Sequence, residues 1–168
     1  MPITLHQATS AVMIRMLKNL SRILAKAESH AAAAKLDPKE LPDARLAPDM
    51  FPLTRQIQVA SDAAKFCAAR LSGATPPAWP DTETTLPELQ ARIATTIAYL
   101  ESVPASAIDG TEEKTITVTL RGKPVEFTGL NYALGFAMPN FMFHVTTAYA
   151  ILRHKGVEIG KADYLGGV

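Results

Sequence analysis

Apolar residues recur at steps of three and four in four separate stretches of this chain, and such spacing is buried efficiently only if each stretch is a helix with one face turned to a shared core. Met13, Leu17, Leu20, Leu24 and Ala27 form the first stripe, in a helix from Leu5 to about Ala27 that the run Ala31 to Ala34 either prolongs or follows as a separate turn. Pro38, Pro42 and Pro48 break any helix beyond it and leave a connector of roughly fifteen residues. Pro52 suits a first helical turn, and Leu53, Ile57, Ala60, Ala64, Cys67 and Leu71 carry the second stripe to Gly73. A proline-rich loop around the lone Trp79 follows, and Trp79 is either a plug over the end of the bundle, the preferred reading, or part of a ligand pocket. Thr85 and Glu88 have capping-box spacing and open a third helix with the stripe Leu86, Leu89, Ile93, Ile97 and Leu100, closed by Pro104 and Gly110.

The period then changes from helical to alternating. Ile116, Val118 and Leu120 alternate with threonines, and Val125 and Phe127 alternate again after Arg121-Gly122, which predicts a β-hairpin over about 114–128. Helical spacing resumes from Thr128 to Lys155, with Pro139 expected to kink or restart the helix near Met138 and Gly156 to cap it. Val157, Ile159, Tyr164 and Leu165 equip the tail, 156–168, to dock on the body or on a second subunit. The expected fold is all-α, a four-helix bundle with a small hairpin inserted before the last long helix, as a single domain over 1–168.

Charge excludes some partners. With 17 Lys and Arg against 16 Asp and Glu, a net charge of +1 and no basic stripe, the chain lacks the clustered cations on which nucleic-acid affinity rests. No apolar run approaches the ~20 residues of a membrane span. The single cysteine, Cys67, excludes an intramolecular disulfide and any CxxC motif, and fits the cytoplasm as the default compartment. No P-loop, GxGxxG or CxxCH motif points to a nucleotide, flavin or haem, and no cofactor is expected.

The informative residues are polar ones on apolar stripes, because bundle sites are built from inward-facing groups. At about 100° per residue, His144 points the same way as Phe141, Ala148 and Ile151, with Asn140 and Thr147 on that side. Gln56 lies inward on the second helix, and His6, seven residues before Met13, joins the first stripe. Two readings of His144 stand side by side: a core imidazole satisfied by Gln56 or Asn140, and a metal ligand or general base in a pocket. One histidine with two carboxamides is a weak set for zinc, so the metal reading needs another donor, for which His6 is the candidate. Asp49, just before a helix start, is a cap or dipole partner, or faces a site at that end. Cys67 is a small core residue. Phe136, Met138, Phe141, Met142 and Phe143 surround nearly all of the last helix, which is therefore central or carries an oligomer interface.

Three segments, Arg45-Leu46-Ala47-Pro48-Asp49-Met50-Phe51-Pro52-Leu53, Phe143-His144-Val145-Thr146-Thr147-Ala148-Tyr149 and Gly156 through Gly166, resemble the DinB/YfiT-like four-helix bundles, and within them a branch described only as a domain of unknown function. The resemblance implies an up-down-down-up helix order. In the wider superfamily it implies a three-histidine metal site, one ligand from the second helix and an HxxxH pair from the last, used by some members for thiol-dependent transferase or isomerase chemistry. Position by position, His144 matches the second histidine of the pair, Asn140 stands at the first, and Gln56 lies near the second-helix ligand. The expectation is a homodimer with a small polar pocket around His144, Asn140, Gln56, Thr147 and Asp49 that takes a small ligand. The alternatives are a divalent-metal (Zn or Ni), thiol-using transferase or hydrolase, and a structural or stress-associated interaction protein.

Overall fold

In the computed structural model, which describes residues 2–167, the four stripes become four long helices within a mostly helical chain that carries a two-stranded antiparallel sheet. The order is α1 (Leu5–Ala8), α2 (Ser10–Ala34), α3 (Leu53–Ser72), α4 (Leu86–Ser102), a 3₁₀ turn (Ala105–Ala107), β1 (Thr115–Leu120), β2 (Lys123–Thr128), a π-helical segment (Asn131–Ala137), α5 (Met138–His154) and α6 (Lys161–Leu165). Helix α3 packs on α4 and α5, and α2 packs on the same two helices, so the four close a ring around the stripe residues. Met13, Leu17, Leu20, Leu24, Leu53, Ile57, Leu89, Ile93, Phe141 and Ile151 are fully buried there, each contributing about 1.5–3 kcal/mol of apolar transfer.

Local chemistry explains where elements begin and end. Thr4 and Gln7 form a capping box on the short α1, and Thr9, at φ −121° and ψ −87°, separates it from α2. The Thr9 hydroxyl donates to the Leu5 carbonyl at 2.6 Å, using the oxygen that would otherwise continue the helical ladder. The alanine run prolongs α2 to Ala34, where Lys35 takes a left-handed conformation (φ 53°). The capping box of Thr85 and Glu88 forms at the start of α4. The hairpin turn falls at Arg121-Gly122, both at positive φ, as a tight turn with the twist of the strands requires. Gly129 lets the end of the hairpin pass against the chain before β1, since a Cβ there would lie 2.0 Å from the Thr111 carbonyl oxygen.

The α-helix restarts at Met138, one residue before Pro139, as expected of the proline, with no break in the helical backbone ahead of it. The wider π-helical turns of Asn131–Ala137 run directly into α5, absorbing the ladder bond that Pro139 cannot donate and turning Tyr132 fully into the core. The tail docks on the body: Val157 and Ile159 are buried, and α6 lies on α2, with Asn19 donating to the Tyr164 carbonyl at 2.9 Å and Lys26 meeting Asp163 at 2.6 Å.

Trp79 is not a plug over the bundle end. The connector 74–84 runs back along α3, setting Trp79 over Lys65, Asp81 against Arg55 and Glu83 against Gln58. Retracing a 20-residue helix, about 30 Å long, takes a nearly extended segment of this length, and prolines suit it. The connector seals a charge cluster unmarked in the sequence. Arg92 is enclosed between α3 and α4, with Nη2 at 3.0 Å from Asp62 and 3.1 Å from Asp81 and Nη1 at 3.0 Å from Glu83. Lys65, equally buried, meets Asp62 at 2.8 Å. The Trp79 ring centre is 4.7 Å from Lys65 Nζ and 5.5 Å from Arg92 Cζ, a cation-π lid over both.

Removing the cation leaves Asp62 with Lys65 and Asp81 with Arg55 but deprives Glu83 of its one cation in a partly dry cleft, so Arg92→Leu is expected to lower stability by about 3 kcal/mol. Lys18→Ala, which breaks the half-exposed Lys18–Glu101 pair, should cost less than about 1 kcal/mol. Urea midpoints of the two variants check the contrast, and equal losses would show that the Arg92 cluster behaves as a solvated one.

Candidate functional site

His144 and Gln56, both turned inward by the helical arithmetic, meet across α5 and α3. His144 Nδ1 lies 2.7 Å from Gln56 Oε1, while Gln56 Nε2 donates to the Phe51 carbonyl at 3.1 Å. Only this orientation of the carboxamide satisfies both ends, because the reverse sets its oxygen against the Phe51 oxygen. Oε1 is therefore the acceptor and Nδ1 carries the proton. The lone pair is left on Nε2, which has no hydrogen-bond partner among the described residues and is not among the sealed, unpartnered polar atoms. Nε2 thus has a route to solvent from a side chain that is only 7% exposed.

The electrostatics keep the ring neutral. Burial pushes the imidazole pKa below 6.5, and the nearby Arg55 guanidinium adds to the shift. Phe143, edge-on to the imidazole at 5.2 Å between ring centres, is 57% exposed, and Phe51, whose carbonyl holds Gln56, is 51% exposed. A neutral Nδ1–H tautomer with a bare, reachable Nε2 can accept a hydrogen bond, take a proton or bind a cation.

The other expected site residues are placed differently. Thr147 is buried beside His144 on α5 but spends its hydroxyl on the Phe143 carbonyl at 2.7 Å. Asn140 makes no hydrogen bond with His144; it lines a recess of about 230 Å³ with Arg55, Asp62, Arg70, Tyr132 and Phe136, whose walls include neither His144 nor Gln56. Asp49 is exposed beside the Ala47–Met50 turn, and α3 is capped by Pro52 instead. His6 lies in α1, off the α2 stripe, its backbone N–H bonded to Asp109 at 2.8 Å, because the Thr9 break interrupts the helical phase on which its inward placement relied. Cys67 is fully buried, its thiol pushed up to about 12 by burial, which makes it a core residue and a poor nucleophile.

The donors present do not fit the superfamily's metal. Among the described residues no three His, Cys, Asp or Glu side chains cluster as a ligand set. The Gln56 oxygen already accepts from His144, and Asn140 opens on a separate recess. A lone imidazole does not hold zinc.

Residues 5–165 match the domain of unknown function DUF1993. The chain belongs to this family. Among solved structures, the DUF1993 chain is similar to one described as a DinB family member protein from Shewanella denitrificans, at 45% identity and a TM-score of 0.87, the likeness covering 98% of this chain and 93% of that one. None of the curated proteins matches. Among the described residues no helix of this DUF1993 member is long and apolar enough to cross a membrane.

The lowered imidazole pKa has a definite sign in stability. Below about 6.5 the unfolded chain binds a proton that the folded site resists, so the His144 contribution is complete above that pH and is lost as the pH falls through the folded value. Urea midpoints should therefore fall between about pH 7.5 and about pH 5 more steeply for the wild type than for His144→Gln, which cannot titrate. Equal slopes would contradict the assignment.

Proposed function

We propose that this DUF1993 protein is a DinB-like bundle that binds a small organic ligand at His144 without a metal. The bond from His144 Nδ1 to Gln56 Oε1 at 2.7 Å carries the reading, since it presents Nε2 as a fixed hydrogen-bond acceptor. The ligand contributes an N–H or O–H donor to Nε2 and apolar surface to Phe51 and Phe143. Gln56, held by the Phe51 carbonyl, is the positioning group. The helices take the up-down-down-up order. Supporting it, the start of α3 meets the connector that leads into α4 through Arg55 and Asp81, and α5 runs against α3, with His144 beside Gln56 and Tyr132 beside Arg70.

The metal-free part is tested by elemental analysis of untagged protein prepared without chelator, with His144→Ala beside it. The expected result is substoichiometric zinc, nickel and iron in both. A near-stoichiometric metal that disappears in the variant would overturn the reading in favour of metal-assisted transferase or hydrolase chemistry. The ligand part is tested by a fragment screen followed on the His144 ring protons by NMR. Neutral donors such as phenols and amides should shift them saturably, and His144→Ala should abolish binding; binding unchanged in that variant would contradict the site.

The proposed assembly is a homodimer, supported by apolar side chains that α5 and the chain leading into it leave exposed: Leu130 at 40%, Leu134 at 45% and Phe143 at 57%. The tail, docked on α2, does not contribute its buried Val157 and Ile159 to a partner. Light scattering at micromolar concentration should give twice the chain mass, and Leu134→Glu should give the chain mass; a wild-type monomer would refute the dimer.

A further inference from the structure

The recess that takes Asn140 away from His144 has its own chemistry. One face of α3 lines it from Arg55 to Arg70, opposite the π-helical segment, the start of α5 and Val118 of β1. At one end, Arg70 is half-buried, stacked 4.8 Å from the Phe66 ring centre and 5.5 Å from that of Tyr132, with Nη1 donating to the Tyr132 hydroxyl oxygen at 2.9 Å. No carboxylate pairs with Arg70 among the described residues. The other charges in the walls are committed: Asp62 to Lys65 and Arg92, Arg55 to Asp81. A further cation, Lys114, sits close by on the carbonyls of Arg70 and Leu71.

An unpaired, half-buried guanidinium favours an anion, and the Tyr132 hydroxyl, which accepts from Arg70, retains its own proton to donate to one. Burial pushes the phenol pKa up, so that proton stays in place at neutral pH. Between Arg70 and the committed Asp62 the recess wall is apolar, with Phe66 on one side and Phe136 and Ala137 on the other. Asn140, whose carboxamide makes no hydrogen bond to a described residue, supplies a polar group away from Arg70, nearer the His144 end of α5. A dianion such as phosphate would leave charge uncompensated against the aromatic walls, whereas a single carboxylate is matched by the single free guanidinium.

We propose that this recess binds a small organic monocarboxylate, its carboxylate on the Arg70 guanidinium and the Tyr132 hydroxyl and its apolar body between Phe66 and Phe136. The site is independent of His144, and π-helical turns supply the wall that carries Tyr132 and Phe136.

The test uses the full chain with phenylacetate, hexanoate, the neutral isostere phenylacetamide and inorganic phosphate as probes, each titrated to about 10 mM while the Asn140 side-chain amide and Arg70 Nε are followed by NMR. Phenylacetate and hexanoate should bind saturably, and phenylacetamide and phosphate at least about tenfold more weakly. Tyr132→Phe, which keeps the stacking and deletes only the hydroxyl, should weaken phenylacetate by about three- to tenfold. Arg70→Met should abolish binding, and His144→Gln should leave it unchanged, which separates this site from the one proposed above. Absence of saturable binding by either carboxylate, equal binding of the amide, tighter binding of phosphate, or full affinity in Tyr132→Phe would each overturn the proposal.

Discussion

Helix α3 is buried on most of its circumference, and the rest of the molecule is arranged to make that possible. Its fully buried positions include Ala60, Ala64, Cys67 and Ala68, small side chains that let neighbouring helices approach closely, together with Leu53, Ile57 and Leu71. Helices α4 and α5 take two of its sides, the connector 74–84 runs back along it, and the recess face accepts the hairpin through Val118. A helix so enclosed must also bury polar residues, and the long ones are answered by partners: Gln56 by His144 and Phe51, Gln58 by Glu83 and Lys65 by Asp62, while the Ser61 hydroxyl is sealed without one.

His144 inherits its chemistry from this packing. A carboxamide in place of a carboxylate or a metal behind the imidazole orients the ring without making it more basic, and burial with Arg55 nearby depresses its pKa. The result is a neutral acceptor in a fixed direction, better suited to recognition than to holding a divalent cation. Family membership fits this division: the bundle is shared with a DinB family member over nearly its whole length, while the resemblance read from the sequence sets Asn140 at the first position of the histidine pair and Gln56 near the second-helix ligand, both carboxamides.

The long helices, the capping box at Thr85, the hairpin and the inward faces of His144 and Gln56 were legible in the sequence because each depends on spacing within one regular element; that the two side chains meet depends on how α3 and α5 pack. Placements that depend on irregular backbone were not. The Thr9 dihedrals break the phase that made His6 look inward. Asn140 precedes His144 by four residues, about 40° beyond a full turn, enough to point it into a different recess at the edge of α5. Trp79 is set by the path of a connector, and π-helical geometry ahead of Pro139 has no periodic signature. The Arg92 cluster joins charges from α3, the connector and α4, and only the way these pack brings them together. The same holds for Arg70 and Tyr132, 62 positions apart in the chain.

His144 is a neutral imidazole with its proton on Nδ1 and its lone pair offered at Nε2. Long-range nitrogen–proton correlation NMR at neutral pH reads this directly from the two ring nitrogens. Nδ1 should show a protonated-type shift and Nε2 an unprotonated-type shift, with exchange of the pattern or loss of its uniqueness in Gln56→Leu. A proton resident on Nε2, or a doubly protonated ring at pH 7, would contradict it.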